Sequence, residues 1–487
     1  MIINSKGFGI PKSLLSDIEL KKLRQDLTVK PLINETYVTD TGDLSFPVYR
    51  ENKTRVYLPK FYGLNKYGHS NEIEFKERVG TDISFVFEGK VKPDQKEFID
   101  SILNKMNTCG ACIACAPTGS GKTVMAINVI SVIKKKTLII VHKDFLLDQW
   151  KERINQFMSG VKIGTIRQKI VDTDCDICIG MLQSISMKDY SSEVFDTFGL
   201  VIIDECHHIS SKVFSKALFK VATRNLLGLS ATPNRKDGLT IVLKWFMGDI
   251  LIKEPNKDQD ILTPTVRIIE AKYKNDIKIK HTIKGNVNVP HLITQLSEDK
   301  ARNNLILKHI IDLYDSTNRN TLVLSDRRDQ CNFLYNQLLK SGIPTDEVGL
   351  YLGQMKTEDL SKSNEARIIL GTYSMISEGY DCPKLDTLIL ATGKSDLVQS
   401  VGRILRRKNV NSPLIIDIAD KLYRHNQYQT RKRYYKSCKF NIIDETSNKG
   451  KKGTTGGFEG TGCEEAFSEE LDEIKDHVVS FDDFLDE

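Results

Sequence analysis

The stretch ACIACAPTGSGKT, at residues 111–123, decides the fold. Its first six residues are mostly small and favour a β-strand, the next five form a turn with two glycines, and a helical pattern begins at Lys122. In such a strand–turn–helix unit, successive backbone N–H groups point inward and the helix N-terminus adds a positive dipole end. The sequence therefore predicts a site for the phosphates of a nucleoside triphosphate.

The turn and the start of the helix supply the predicted nucleotide contacts. Lys122 is expected to face the β- and γ-phosphates, and the Thr123 hydroxyl is expected to hold Mg²⁺, so the predicted cofactors are ATP and Mg²⁺. The usual pattern begins with glycine where this chain has Ala116, a small departure, because GSGKT retains the residues that touch phosphate. The predicted ATP-binding residues of this loop are Ala116, Pro117, Thr118, Gly119, Ser120, Gly121, Lys122 and Thr123.

The composition indicates a globular chain of two or three domains. The 487 residues are 40% hydrophobic and 28% charged. No apolar run approaches the roughly 20 residues of a membrane span, and the polar N-terminus lacks a secretory apolar segment. The ten cysteines are scattered, which favours a reducing compartment. We therefore expect an intracellular protein with no membrane partner.

The net charge of +6 is unevenly distributed along the chain. Residues 464–487 hold eleven acidic residues and one lysine, a charge of −10, so the remainder carries +16. A basic body predicts a polyanionic partner such as nucleic acid. Three interpretations of the acidic tail remain open: it competes with that polyanion, it docks on a transcription or replication partner, or it is merely solvated.

Hydrophobic patterning divides the chain into five parts. We expect a small β-rich accessory domain at 1–88, an α/β unit at 89–253, a lysine-rich interdomain segment at 254–285, a second α/β unit at 286–445, and a flexible glycine-rich linker with the acidic tail at 446–487. Alternating strands and helices predict a doubly wound parallel sheet in each α/β unit. The second unit has no phosphate loop of its own.

Two segments mix aromatic and basic residues. VYLPKFYGLNKYG, at 56–68, could contact nucleic acid or form part of a core; we favour a core for its aromatics and leave both interpretations open for Lys60 and Lys66. YRHNQYQTRKRYYK, at 423–436, predicts a helix packed on the second unit, with its tyrosines inward and a basic face near nucleic acid.

Two carboxylates end the apolar run Leu200–Ile203. In a chain with a phosphate loop, we expect Asp204 to hold Mg²⁺ through water, and Glu205 to orient and deprotonate the attacking water. His207 and His208 have no suitably spaced partners for a zinc site.

The stretch QSVGRILRR begins at Gln399 in the second unit. Gln399, Gly402, Arg403 and Arg406 are three or four residues apart, which predicts one face of a helix. Arginines are planar and always charged, so Arg403 and Arg406 suit a γ-phosphate presented by a facing domain, whereas an exposed basic helix is the alternative. The predicted catalytic residues are Lys122, Glu205, Gln399, Arg403 and Arg406.

Taken in order, APTGSGKT, DECH, SAT and QSVGRILRR resemble motifs I, II, III and VI of superfamily 2 helicases. GLSATPNRKDG, at 228–238, is similar to the XPB-like branch of double-strand translocases. VHKDFLLDQWKERI, GMLQSISMKDY and YLPKFYGLNKYG resemble the transcript-release helicases of poxviruses and other large cytoplasmic DNA viruses. The resemblance covers roughly residues 56–439.

The resemblance implies two RecA-like domains that close on ATP, and movement along nucleic acid, DNA rather than RNA because of the RKDG element. An RNA helicase and a nucleotide-gated scaffold remain the alternatives. The resemblance also implies a host-cytoplasmic or virion location if the protein is viral, and otherwise a nuclear one. The implied roles are adenine contact for Gln95, coupling for His207, Ser230 and Thr232, nucleic-acid contact for Thr372, and nucleotide contact for Gly379 and Asp381.

Overall fold

The computed structural model describes residues 1–32, 44–68, 73–117, 119–209, 215–232, 237–253, 263–274, 276–282, 285, 287–376, 380, 382–394, 397–405, 411–422 and 427–447. Met1–Asp444 form one compact unit. The acidic tail and nearly all of the glycine-rich linker, from residue 448 on, lie outside the described residues. No described helix is long and apolar enough to cross a membrane.

The N-terminal region is built on a five-stranded sheet with the order β5-β6-β2-β1-β7. Its elements are β1 (Ile2–Asn4), β2 (Gly7–Pro11), α1 (Asp17–Asp26), β3 (Thr28–Val29), β4 (Phe46–Pro47), β5 (Arg50–Glu51), β6 (Arg55–Leu58), α2 (Lys60–Tyr67) and β7 (Glu74–Lys76). Strands β3 and β4 pair separately. The predicted β-rich region is therefore present, although two helices accompany its sheet.

The aromatic and basic segment at 56–68 forms β6 and α2 and packs inward. Leu58 and Leu64 are buried in the N-terminal core, and the Tyr62 ring meets the Trp245 ring edge to face at 5.4 Å. Lys60 pairs with Glu77 at 2.8 Å, and Lys66 pairs with Asp26 at 3.1 Å. Both lysines are engaged within the protein, which favours the packing interpretation over nucleic-acid contact.

The first lobe is an eight-stranded sheet with the order β11-β10-β12-β9-β13-β14-β8-β15, together with its helices. Its elements are α3 (Pro93–Cys109), β8 (Ala111–Cys115), α4 (Lys122–Ile133), β9 (Thr137–Val141), α5 (Asp144–Phe157), β10 (Ile163–Arg167), β11 (Ile170–Val171), β12 (Ile177–Met181), α6 (Leu182–Met187), β13 (Leu200–Ile203), α7 (Ser215–Val221), β14 (Asn225–Ser230), α8 (Thr240–Met247) and β15 (Ile250–Ile252).

All pairings of this sheet are parallel except that of β10 with β11. Strands β8, β9 and β13 are buried along their whole length, because their apolar runs face helices or loops on both sides of the sheet. The carboxyl ends of parallel strands meet at one edge, so the residues that follow β8, β9, β13 and β14 are brought together there.

The second lobe is a seven-stranded sheet with the order β18-β19-β17-β20-β21-β16-β22, parallel throughout, together with its helices. Its elements are β16 (Thr265–Glu270), α9 (Val289–Glu298), α10 (Lys300–Ser316), β17 (Thr321–Ser325), α11 (Arg328–Lys340), β18 (Val348–Tyr351), α12 (Thr357–Glu365), β19 (Ile368–Thr372), α13 (Tyr373–Ile376), β20 (Thr387–Leu390), α14 (Val398–Val401), β21 (Leu414–Ala419), α15 (Gln427–Ser437) and β22 (Asn441–Asp444). Both lobes therefore have the predicted α/β class.

The structure differs from the sequence prediction at β16. This strand lies within residues 254–285, the predicted interdomain segment, yet it pairs with β21 and β22 inside the second sheet. Its apolar residues Val266 and Ile268 are fully buried. The average composition of residues 254–285 is rich in lysine, and it therefore does not reveal the apolar residues of β16.

Helix α15 covers the second lobe, as predicted from the segment at 423–436, of which residues 427–436 are described as helix. Tyr428 and Tyr435 are buried, which confirms the inward orientation for these two, whereas Tyr434 is half-buried and residue 423 lies outside the described residues. Arg431 is also buried, where it pairs with Asp417 at 2.7 Å. This arginine therefore belongs to the core and not to the predicted basic face.

Candidate active site

The phosphate loop connects the buried strand β8 to α4. Gly119 and Gly121 have φ values of +81° and +86°, a left-handed backbone region that side chains other than glycine rarely adopt. Gly121 caps the N-terminus of α4, and the Lys122 Nζ donates a hydrogen bond to the Ala116 carbonyl at 3.2 Å. Pro117 is exposed at the start of the loop, and Thr118 lies outside the described residues.

Gln95 supports this loop from α3. Its Oε1 accepts the Lys92 N–H at 3.0 Å, and its Nε2 donates to the Ser120 carbonyl at 2.8 Å. Nearby, the buried Lys253 donates to Asp94 at 2.7 Å and lowers the pKa of that carboxyl group. The residue implied in adenine contact is therefore also a direct support of the phosphate loop.

The loop fits a phosphate ligand. Among the described residues, the buried Ser120 Oγ has no hydrogen-bond partner. A Cβ atom at Gly121 would lie 2.5 Å from the Gln95 Nε2, so a side chain there would disrupt the loop. Thr123, in the first turn of α4, and Asp204 offer a hydroxyl and a carboxylate, which are oxygen ligands of the kind that Mg²⁺ prefers.

Asp204 and Glu205 follow β13 at the carboxyl edge of the sheet. The Asp204 Oδ1 accepts the Glu205 N–H at 3.0 Å, and its Oδ2 accepts the indole N–H of Trp150 at 2.9 Å. Glu205 has a φ of +44°, a strained conformation for a residue other than glycine. After the sharp turn that follows β13, the two adjacent carboxylates have different partners: Asp204 accepts the Trp150 N–H, whereas Glu205 lies beside His207.

His207 joins this acidic pair to the end of β14. Its Nδ1 lies 3.4 Å from the Glu205 Oε2 and 3.0 Å from the Ser230 Oγ. The Ser230 Oγ also accepts the Thr232 N–H at 3.1 Å, and the Ser230 carbonyl accepts the Ala116 N–H at 3.0 Å. Of the three residues with an implied coupling role, His207 and Thr232 each contact Ser230, and Ser230 contacts the start of the phosphate loop.

The structure corrects one prediction for the second lobe. The predicted continuous helical face at Gln399, Gly402, Arg403 and Arg406 is wrong, because α14 ends at Val401. Beyond it, Arg403 N and Ile404 N bond to the carbonyls three residues earlier, a tight turn that begins at Gly402, a poor helix former. The Gln399 side chain and all of Arg406, Gly379 and Asp381 lie outside the described residues.

Arg403 is 5% exposed. Its Nη1 donates to the Tyr380 carbonyl at 2.6 Å. This guanidinium contact therefore lies within the second lobe. The predicted role of Arg403 in hydrolysis stays a prediction.

Thr372 ends β19 close to a contact between the two lobes. Its Oγ1 lies 3.3 Å from the Ser374 Oγ, and the Ser374 carbonyl accepts the Lys143 Nζ of the first lobe at 3.1 Å. Lys143 follows β9 and immediately precedes α5. The residue with an implied nucleic-acid contact therefore lies next to a hydrogen bond that joins the lobes.

Sequence reasoning missed Trp150, Lys143 and Lys253. Trp150 shares the apolar face of α5 with Leu146 and Ile154, a spacing that predicts a core residue and nothing more. A local pattern does not reveal that its N–H meets a carboxylate 54 residues away. For Lys253, a lysine after the short apolar strand β15 was the only available signal.

Comparisons with known proteins identify the family of this chain. Residues 88–235 match the family model described as "Type III restriction enzyme, res subunit". A mimivirus protein from Acanthamoeba polyphaga mimivirus, provisionally named ATP-dependent RNA helicase L396, is 36% identical over 90% of this chain and 85% of its own length. A protein of Invertebrate iridescent virus 6, provisionally named helicase 161L, is 30% identical over 73% of this chain and 82% of its own length.

Among solved structures, T4 UvsW matches 88% of this chain and 95% of its own chain at 18% identity, but the TM-score of 0.33 is too low to bear on the fold. The viral relatives are similar over most of their length, and they confirm the resemblance found in the motifs and the expected ATP-dependent activity. The chain therefore belongs to the superfamily 2 ATP-dependent helicases.

Proposed function

We propose that this helicase is a translocase that couples ATP hydrolysis to movement along double-stranded DNA, in viral transcript release, repair or recombination. One observation carries the proposal: the phosphate loop, the Asp204–Glu205 pair and Ser230 converge at one edge of the first sheet. The RKDG resemblance supports DNA as the substrate. The expected location of the protein is the host cytoplasm or the virion if it is viral, and the nucleus otherwise.

The proposed roles in hydrolysis follow from position. Lys122 faces the β- and γ-phosphates, and Thr123 and Asp204 hold Mg²⁺. When bound, the metal neutralises charge between the two phosphates. Glu205 orients the attacking water and accepts its proton, because a carboxylate placed at a strand end beside the phosphate loop is a suitable general base. The adenine ring of ATP is proposed to lie against Gln95.

The coupling step is proposed to use the contacts among Glu205, His207 and Ser230. A change in charge beside Glu205 changes the electrostatic interaction between its carboxylate and the His207 ring nitrogen, 3.4 Å away. The same ring nitrogen contacts the Ser230 hydroxyl. Arg403 and Arg406, with Gln399, would complete the site only when the lobes close. A closure-dependent site links each hydrolysis event to a movement of the lobes.

The proposed nucleic-acid contact is at Thr372, with the hydrogen bond between Lys143 and Ser374 beside it. Contacts with backbone phosphates carry no sequence information, so we expect low sequence specificity. We further propose that residues 1–88 form an accessory region and 89–253 the ATP-binding lobe, and that the second lobe begins before β16 instead of at residue 286.

A second candidate function is an RNA helicase, because the mimivirus relative carries that name. Phosphate contacts do not distinguish DNA from RNA, since that choice depends on the 2′-hydroxyl and on duplex shape. A nucleotide-gated scaffold with slow hydrolysis would be a third function, which the acidic pair beside the phosphate loop disfavours.

The test compares ATP hydrolysis by the full chain in the presence of double-stranded DNA, single-stranded DNA and RNA. We expect multiple turnovers and the strongest stimulation by double-stranded DNA. A variant with Lys122→Ala should hydrolyse no ATP in any condition, which excludes a contaminating ATPase. Strongest stimulation by RNA would favour the second candidate, and the absence of multiple turnovers would favour a scaffold.

A further inference from the structure

Trp150 combines deep burial with a polar contact at the candidate metal site. It lies in the middle of α5, where its side chain is 1% exposed. A tryptophan has one polar atom, and here that atom donates to the Asp204 Oδ2 at 2.9 Å. The side chain thus spans the distance from the helix layer to the end of β13.

The contact completes a two-sided support of one carboxylate. The Glu205 N–H bonds Oδ1 and the Trp150 N–H bonds Oδ2, so both oxygens are held and the carboxylate plane is defined. An ionised carboxylate offers about four acceptor positions, which leaves capacity for the waters of a bound cation. Orientation is therefore compatible with metal binding.

The chemistry of the donors matters as well. Both described partners of Asp204 are neutral N–H groups, so they orient the carboxylate without cancelling its negative charge. By contrast, Asp94 pairs with Lys253 and Asp417 pairs with Arg431. A cationic partner would compete electrostatically with a metal ion, whereas an indole does not.

We propose that Trp150 is a positioning residue that orients Asp204 for Mg²⁺·ATP, and that its indole reports the state of the metal site. This inference rests on the role proposed above for Asp204. Hydrogen-bonded partners of metal-binding groups generally set the orientation of those groups, and their removal lowers metal affinity by about 10- to 100-fold.

The first experiment uses Trp150→Phe, which retains an aromatic ring in the core and removes the N–H. At saturating ATP, the Mg²⁺ concentration for half-maximal hydrolysis should rise about 10-fold. Binding of a fluorescent ADP provides a readout apart from activity. Its affinity without Mg²⁺ should stay within twofold, and the gain on adding Mg²⁺ should be largely lost.

The matched control is Trp245→Phe, because Trp245 is the other tryptophan of the chain and packs against Tyr62 in α2. It should leave both Mg²⁺ responses unchanged. A Trp150→Phe protein whose Mg²⁺ responses stay within twofold of the parent would overturn the proposal, even if its unfolding midpoint falls, because the side chain would then serve packing alone.

The second experiment is spectroscopic and does not depend on the folding of Trp150→Phe. In the Trp245→Phe protein all tryptophan emission comes from Trp150. The added change Asp204→Ala removes the acceptor and should shift that emission, and Mg²⁺·ATP should alter it only when Asp204 is present. Emission that is identical with and without Asp204 would contradict the proposal.

Asp204→Ala also separates the two levels of inference. If this variant retains Mg²⁺-dependent hydrolysis, the proposed metal role of Asp204 is wrong. If it loses hydrolysis while Trp150→Phe behaves like the parent in both Mg²⁺ responses, only the positioning role of Trp150 is wrong.

Discussion

The two parallel sheets of this helicase use their carboxylates in opposite ways. In the first lobe, Asp204 accepts hydrogen bonds from two neutral N–H groups, which do not neutralise its charge. In the second lobe, Asp420 follows β21 and pairs with Arg302, which is fully buried, at 2.8 Å. The same edge of the same kind of sheet therefore presents a charge in one lobe and neutralises it in the other.

A second buried carboxylate of this lobe, which lies earlier in the same strand, is neutralised in the same way. Asp417, inside β21, accepts hydrogen bonds from the Arg431 guanidinium and the Tyr435 hydroxyl. Burial alone would lower the pKa of Arg431, but the adjacent Asp417 charge raises it above its ordinary value. The difference teaches that a shared α/β fold does not imply a shared site: the partner of each carboxylate decides whether its negative charge is neutralised within the protein.

The largest effect is expected for Arg403→Ala, which tests whether the second lobe contributes a positive charge to the ATP site of the first lobe. We expect turnover to fall by about 10³- to 10⁵-fold, because an arginine that stabilises transition-state charge has this effect. ATP affinity should remain within a few fold of the parent. Single-turnover hydrolysis and equilibrium nucleotide binding measure the two quantities.

Arg403→Lys serves as the control for this change, since it keeps a charge but loses the planar fork, and its turnover should be intermediate. Because Arg403 is buried and bonds the Tyr380 carbonyl, the unfolding midpoint of each variant should be recorded. An equal loss of affinity and turnover would contradict a role that depends on closure.

The next largest effect is expected for Glu205→Gln in the first lobe. An amide does not accept the proton of water, so turnover should fall by about 10²- to 10⁴-fold while ATP binding is retained. The side chain has nearly the same shape, which preserves the packing against His207. Near-normal turnover would show that the general base lies elsewhere.

In the second lobe, Arg431→Ala should affect stability and not chemistry. It leaves Asp417 charged and buried, which costs about 3–5 kcal/mol of unfolding free energy. Lys432→Ala is a matched control on the same helix, because the partly exposed pair with Asp444 should contribute about 0–1 kcal/mol. Denaturant unfolding measures both, and equal losses for the two variants would refute the structural role of the buried pair.

The smallest effect is expected for Lys66→Ala in the N-terminal region. Its ion pair with Asp26 is about one-third exposed, so stability should change by about 0–1 kcal/mol. If α2 only packs on the first lobe, DNA affinity should remain within twofold at every salt concentration. A weaker affinity with a shallower salt dependence would restore the nucleic-acid interpretation of this segment.

Local patterns explain which parts of the structure were predictable. The glycine turn before Lys122 and the two carboxylates after β13 are each patterns of adjacent residues, so they can be recognised from the sequence. The structure places both at the ends of buried strands. The doubly wound sheets follow from long apolar runs in the same way. Strand β16 was missed because lysines flank its apolar residues, so the average composition of residues 254–285 indicates a linker.

The helix predicted from QSVGRILRR shows where spacing alone misleads. A spacing of three or four residues is compatible with a helical face, but it does not establish that the helix continues. Gly402 weakens the helix at that position, and the chain turns after Val401. The relation between Arg403 and Arg406 therefore depends on a turn that periodicity does not describe.

The sequence by itself determined the α/β class, the phosphate loop and the family, because each depends on residues close together in the chain. Only the tertiary structure decided which charges have which partners. Trp150 meets Asp204 across 54 residues, and Arg302 meets Asp420 across 118. Such contacts arise when a helix packs against the end of a strand that is distant in the sequence, and burial then makes each unmatched polar group costly enough to select its partner.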